Sequence, residues 1–214
     1  MMGATPEQGT DALGGERPTR KVTLSNYAIS QTEVTQALWQ AVMGRNPSYF
    51  TGNSNLPVER VSWDDCQEFI RKLNQLTGQT FLLPTEAQWE FAARGGNQSR
   101  GYKYSGSNDL NSVAWYDNNS NSEIHPVAQK QPNELGLYDM SGNMWEWCSD
   151  WFDSSYYLSS PQHNPQGPSS GSRRVNRGGS WGRDAQNCRV ANRGRSNSGD
   201  RIGLGLRLAL VSSH

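Results

Sequence analysis

The sequence predicts an α+β domain in which irregular structure outweighs regular elements. Convincing helical periodicity lies before Gly96, and short strand-like pieces separated by Asn-, Ser- and Gly-rich stretches follow it. The chain also carries 22 Gly and 10 Pro with 34% hydrophobic residues, so much of it must be turn and loop. Eight Trp and eight Tyr supply large buried area per residue and make a modest core sufficient. A length of 214 residues suits one domain over 1–214.

Taken in order, Lys21–Ser25 and Tyr27–Ile29 alternate as short strands do. A helical pattern begins at Thr32, runs through Val34, Leu38, Ala41 and Val42, and stops at Gly44. The clearest helix runs from Trp63 to Leu76. Ser62 caps it with Asp65 three residues on, and Cys66, Phe69, Ile70, Leu73 and Leu76 form one apolar stripe. Gly78 closes it in the left-handed geometry that glycine adopts at little cost. A third helix opens on the capping box Thr85-Glu-Ala-Gln88 and ends at Gly95-Gly96. Beyond it, Val113–Trp115, Leu137–Tyr138, Val190–Ala191 and Leu206–Leu210 read as strand pieces.

Charge is balanced overall, 20 basic against 20 acidic, but not along the chain. From Gly171 onward there are nine Arg, no Lys and two Asp, a local balance of +7. A nucleic-acid-binding domain carries net positive charge with Lys as well as Arg. Arg-only enrichment fits ion pairs and bidentate hydrogen bonds instead, so no nucleic-acid partner is expected. Cys66, Cys148 and Cys188 show no CxxC spacing and read as buried thiols. No apolar run is long enough to span a membrane, and no signal peptide is visible. Met1-Met2-Gly3-Ala4 reads as the tail of a strand, so residues upstream of it are expected.

Four blocks carry a resemblance. They are Pro57-Val-Glu-Arg-Val-Ser-Trp63, Leu83-Pro-Thr-Glu-Ala-Gln-Trp-Glu-Phe-Ala-Ala-Arg94, Gly136-Leu-Tyr-Asp-Met-Ser-Gly-Asn-Met-Trp-Glu-Trp147, and Arg177-Gly-Gly-Ser-Trp181 with the Gly205-Leu-Arg terminus. In this order they resemble the formylglycine-generating enzyme (sulfatase-modifying factor) domain. The resemblance implies a variant of the C-type lectin fold. Active members use two cysteines to bind copper and oxidise a substrate cysteine, since thiolates are soft and redox-active. The first of that pair stands two residues after the aromatic of the Gly-Gly-Ser motif. Here that position is Arg183, and the segment's one cysteine, Cys188, directly precedes Arg189. The expectation is that the fold is kept, that the oxidase chemistry is lost, and that copper is not bound. The iron-oxygenase branch of the family is not expected either, because His125, His163 and His214 lack metal-ligand spacing.

The same resemblance implies a structural calcium on the side chain of Asp139, the carbonyls near Gly142 and Met144, and the carboxylate of Glu146, the oxygen donors that a hard cation needs. The alternative is that Glu146 caps the turn while Trp145 and Trp147 pack the core.

From Arg177 to Ala209 the chain also resembles the variable proteins of diversity-generating retroelements, whose altered residues cluster on one ligand-facing surface. Adenine-directed change at Asn codons gives residues such as Gly, Arg, Asp, Asn, Ser and Ile but not Lys, Glu, Gln, Met or Trp. Gly182, Arg183, Asp184, Asn187, Asn192, Gly194, Arg195, Ser196, Asn197, Asp200 and Ile202 obey that restriction, while Gln186 reads as fixed framework. Trp181 is either a core aromatic or the floor of the binding surface. Arg189, Val190, Ala191, Arg193 and Leu206–Leu210 would supply the scaffold. The expectation is a monomeric, non-enzymatic display protein at the cell surface, of a kind often anchored as lipoproteins, binding a polar protein or glycan. A formylglycine-generating or related oxidase is the alternative.

Overall fold

The computed structural model describes residues 1–211; His214 lies outside them. Among the described residues there are four α-helices: α1 (Gln36–Met43), α2 (Trp63–Thr77), α3 (Glu86–Ala93) and the single turn α4 (Leu110–Val113). Seven strands accompany them: β1 (Tyr27–Ile29), β2 (Phe81–Leu82), β3 (Trp145–Trp151), β4 (Arg174–Arg177), β5 (Gly194–Ser196), β6 (Leu204–Gly205) and β7 (Ala209–Val211). Among the described residues no helix is long and apolar enough to cross a membrane.

The caps read from the sequence set the helix starts. Ser62 accepts from the Asp65 amide and Asp65 accepts from the Ser62 amide; Thr85 and Gln88 make the same reciprocal pair. Thr35, not Thr32, caps α1, because Val34 is tied by backbone hydrogen bonds to Leu206 and Val58. The stripe of α2 packs Cys66, Phe69, Ile70 and Leu73 onto Val61, Leu206 and Trp147, with Trp39 stacked on Phe69 at 4.8 Å. Leu76 stays exposed.

Two sheets frame this core. β7 lies between β1 and β2, antiparallel to both. The second sheet has the order β5-β4-β3-β6, with β3 parallel to β6 and antiparallel to β4. Glu146 pairs with Arg177 and Trp147 with Asn176, then a bulge precedes the Trp151–Arg174 pair. One face of β3, Glu146, Cys148 and Asp150, is fully buried, and Trp147 is buried on the other. Trp147 donates to the Val61 carbonyl at 3.0 Å, and Trp89 of α3 donates to Glu146 at 2.6 Å.

Several sequence-based strands are absent. Val113–Trp115 begins as the last residue of the α4 turn, and Val190–Ala191 lies in turns whose carbonyls face Arg177. Lys21–Ser25 makes only an isolated bridge, between Thr23 and His163, and Leu137–Tyr138 is not a strand. Leu206–Leu208 is interrupted because the chain leaves the second sheet at Gly205 and joins the first at Ala209.

Candidate ligand-binding site

The site grows from the turn at Gly178-Gly179. Gly179 sits at φ +78°, and a Cβ there would come within 2.7 Å of the Cys188 sulfur. Glycine is required where the chain turns so closely onto itself. Beyond the turn the Trp181 N–H donates to the Asn143 carbonyl and the Arg183 carbonyl accepts from the Asp117 N–H, while Arg177 stays buried.

Arg177, Arg189 and Arg193 point inward onto buried glutamates, as Arg207 does onto Glu146; the Arg177 Nε alone of their guanidinium nitrogens finds no hydrogen-bond acceptor among the described residues. Arg177 pairs with Glu90 of α3, lies 3.7 Å from Glu86, and donates to the carbonyls of Val190 and Asn192. Arg193 makes two bonds to Glu86, at 2.7 and 2.8 Å, and two more to the carbonyls of Gly15 and Asp153. Arg189 grips Glu16 at 2.7 and 2.8 Å. Burial works against the charge on Glu86, but Arg193 and Arg177 hold its carboxyl below the usual range. The frame is therefore a chain of buried ion pairs joining β4, α3 and the N-terminal arm (residues 6–16) to the loop.

The remaining side chains surround an open cavity of about 240 Å³. Arg183, Asn187, Asn192, Gly194, Arg195, Ser196 and Ile202 line it, seven residues singled out from the sequence. Arg183 and Arg195 are exposed, and Ile202 is 87% exposed. Arg195 rests over the Phe152 ring, 4.8 Å from its centroid.

Two of these residues differ from the sequence reading. Asn192 is only 3% exposed, its backbone carbonyl accepting from Arg177, although the residue lines the cavity. Gly194 is not interchangeable. It pairs with Asn176 across β4 and β5, and a Cβ would fall 1.9 Å from the Asn176 Oδ1.

Five singled-out residues lie off the cavity. Trp181 is half-buried, edge-on to Phe50 at 5.5 Å and packed with Leu56, Ile124 and Met144. Gly182 is exposed with nothing near it. Asp184 accepts from the Asn187 side chain at 2.6 Å, and Asp200 accepts from the Asn197 amide at 2.8 Å. Each Asp thus closes a turn on its own segment. Gln186, read as framework, donates to the Asp11 carbonyl at 3.0 Å.

Sequence reasoning missed Leu13, Trp145, Asn176 and Leu204 in the cavity wall. Trp145 shares the face of Trp147 in β3 and packs at the edge of the same core, so no pattern in the sequence marked it as a wall residue. Leu13 had no local signal, since tertiary pairing of Glu16 with Arg189 brings it there.

The residue set expected for calcium does not fit that ion as arranged. Glu146 is fully buried, and Arg207 takes both of its oxygens, each at 2.7 Å. A cation within coordination distance of those oxygens would sit against the guanidinium charge. One Asp139 oxygen accepts from the Ala128 amide at 2.8 Å, and burial pushes the Asp139 carboxyl up to about 6. Among the described residues no group of three or more His, Cys, Asp or Glu could hold a metal ion.

A thiolate pair for copper is not assembled either. Cys66, Cys148 and Cys188 pack into three separate core clusters. Burial raises all three thiols, Cys188 up to about 12, so they stay protonated.

Fold and cavity together define a C-type-lectin-like scaffold whose C-terminal segment surrounds one recess. A model described as the sulfatase-modifying factor enzyme 1-like domain matches residues 1–211, and the chain belongs to that family. The "Chaperone protein LppX" of Paenibacillus barcinonensis is 34% identical over 213 residues, covering 76% of this chain and 71% of that protein. The formylglycine-generating enzyme of Streptomyces coelicolor is 40% identical over 161 residues, covering 69% of this chain and 49% of the enzyme. The chain thus spans about half the length of that relative. Among solved structures, Treponema denticola variable protein 1 superposes with a TM-score of 0.83 at 38% identity, covering 88% of this chain and 86% of that one. The likeness extends to the diversity-generating retroelement subgroup suggested by the Arg177–Ala209 framework.

Proposed function

We propose that this chain is a non-enzymatic ligand-binding module that displays a replaceable C-terminal surface on a lectin-type frame. One observation carries the reading. The guanidinia that hold the segment in place are buried and paired with glutamates, whereas the Arg183 and Arg195 side chains around the cavity make no hydrogen bond or ion pair within the described residues and Ile202 is exposed. Side chains free of structural duty can change without unfolding the protein. The likeness to a variable protein supports the same reading. The partner is a protein or a glycan, the module acts as a monomer, and display at the cell surface follows from the role.

The test is a library randomised at residues 183, 195 and 202 together. Most members should resist protease as the parent does, and panning against two unrelated proteins should select different side chains. Loss of the fold in most members would overturn the proposal. Surface labelling of intact cells making the full-length protein should reach it.

The second reading, a formylglycine-generating oxidase, draws on the 40% identity to the Streptomyces enzyme. That chemistry would require a thiolate pair, and Arg183 stands where the first cysteine of active members lies. Incubation with copper and a cysteine-containing sulfatase peptide should give no turnover; formylglycine formation would establish the oxidase instead.

A further inference from the structure

The cavity is unevenly charged. Every charged side chain lining it is an arginine, and none is a carboxylate. Arg193 is already saturated by Glu86 and two carbonyls. Arg183 and Arg195 differ from it, because neither side chain makes a hydrogen bond or ion pair within the described residues. Stacking over Phe152 gives Arg195 attraction but no acceptor for its N–H groups. Asp184 and Asp200 instead close local turns with Asn187 and Asn197, and neither forms an ion pair with Arg183 or Arg195.

A second observation is independent of charge. Asn192 lines the cavity and is 3% exposed, and its side chain has no hydrogen-bond partner among the described residues. A nearly buried amide beside a recess calls for a partner from outside. The lining adds chemistry of another kind: Leu13 is 48% exposed and Ile202 87% exposed, and both line the cavity with Trp145 and Leu204. Aliphatic side chains at the mouth suit an apolar neighbour better than the hydroxyls of a sugar.

Resting on the ligand-binding reading above, we infer that the cavity receives a carboxylate side chain of a protein partner, flanked there by an apolar residue. Arg183 and Arg195 supply the counter-charge, Asn192 the directed hydrogen bond, and Leu13 with Ile202 the apolar contact. Guanidinia suit this because their planar N–H groups match both carboxylate oxygens.

The test pans a random peptide library on the protein as it stands. Enriched peptides should carry Asp or Glu beside an apolar residue. A synthetic copy should bind at least about tenfold more weakly after Glu→Gln exchange in the peptide, in an Arg183→Gln/Arg195→Gln variant, and at high salt. Both arginines are exposed, so that variant should keep the parent circular dichroism; Arg71→Gln, on the outer face of α2, should bind unchanged. Neutral peptides whose binding is lost in Ile202→Asp would overturn the anionic inference while leaving the ligand-binding function intact. Tighter binding of an oligogalacturonate than of any peptide would overturn the choice of a protein partner. If neither peptide nor acidic sugar depends on the cavity, both this inference and the binding function fall.

Discussion

Gly194 and Gly182 look alike in the sequence, since both obey the same codon restriction, yet they answer to different neighbours. A Cβ on Gly194 would meet Asn176 Oδ1 at 1.9 Å and the Trp145 ring at 2.9 Å, whereas one on Gly182 would meet nothing within 4 Å. Asn176 cannot swing aside freely because its amide holds the Ser196 hydroxyl at 2.9 Å. Gly194→Ala should therefore cost about 1–3 kcal/mol as overpacking, read as a lower thermal midpoint. Gly182→Ala should stay within about 0.5 kcal/mol of the parent. Equal midpoints would show that the cross-strand contact is slack. The same logic moves Asn192 from a free surface position to a wall residue. Side-chain identity was legible here; the partner across the sheet was not.

At the scale of elements, the N-terminal arm and the C-terminal loop behave as one unit. Glu16, Gln8 and Gly15 engage Arg189 and Arg193, and Asp11 engages Gln186 and Lys103. Glu16→Gln leaves the Arg189 charge buried without its counter-charge, which costs about 3–5 kcal/mol. Hydrogen exchange should then accelerate in residues 8–16 and 186–191 together. Acceleration in the arm alone would mean that the loop stands by itself. The sequence marked these arginines as pairing residues from their lack of Lys company. It did not mark Glu16 or Glu86 as partners, because nothing local links residues so far apart. Helices α2 and α3 were legible because their caps are local. Strand β3 was not: its fully buried face carries Glu146, Cys148 and Asp150, so no apolar alternation betrays it.

At the scale of the molecule, the core holds more carboxylates than the arginines neutralise. Burial first, and the Glu86 carboxylate second, push Asp150 from 3.8 up to about 7. Burial, with Asp139 and Glu146 nearby, also raises Glu33 well above the usual range. Such groups bind more protons folded than unfolded. The stability they confer is complete below the unfolded value and is lost as pH rises through the folded one. Stability should therefore fall between about pH 4 and pH 7, by a few kcal/mol at most. Asp150→Asn, which keeps an acceptor for the Glu86 amide, should flatten part of that fall. A profile that rises over this range would show that Asp150 is ionised in the fold. A chelator should leave the thermal midpoint unchanged, since Arg207 already occupies both oxygens of Glu146. A lowered midpoint would restore the calcium reading.

The amino-acid sequence by itself determined the α+β class, the capped helices, the Arg177–Ala209 framework and most of the side chains that meet at the cavity. Periodicity, caps and motif order are local, so they survive in one dimension. Tertiary structure alone decided which arginines are spent on buried glutamates and which remain open. It also decided that Glu146 serves Arg207, and that Leu13 and Trp145 complete the recess. Charge pairing and steric contact depend on distance in space, and in this fold the pairs that matter join the two ends of the chain.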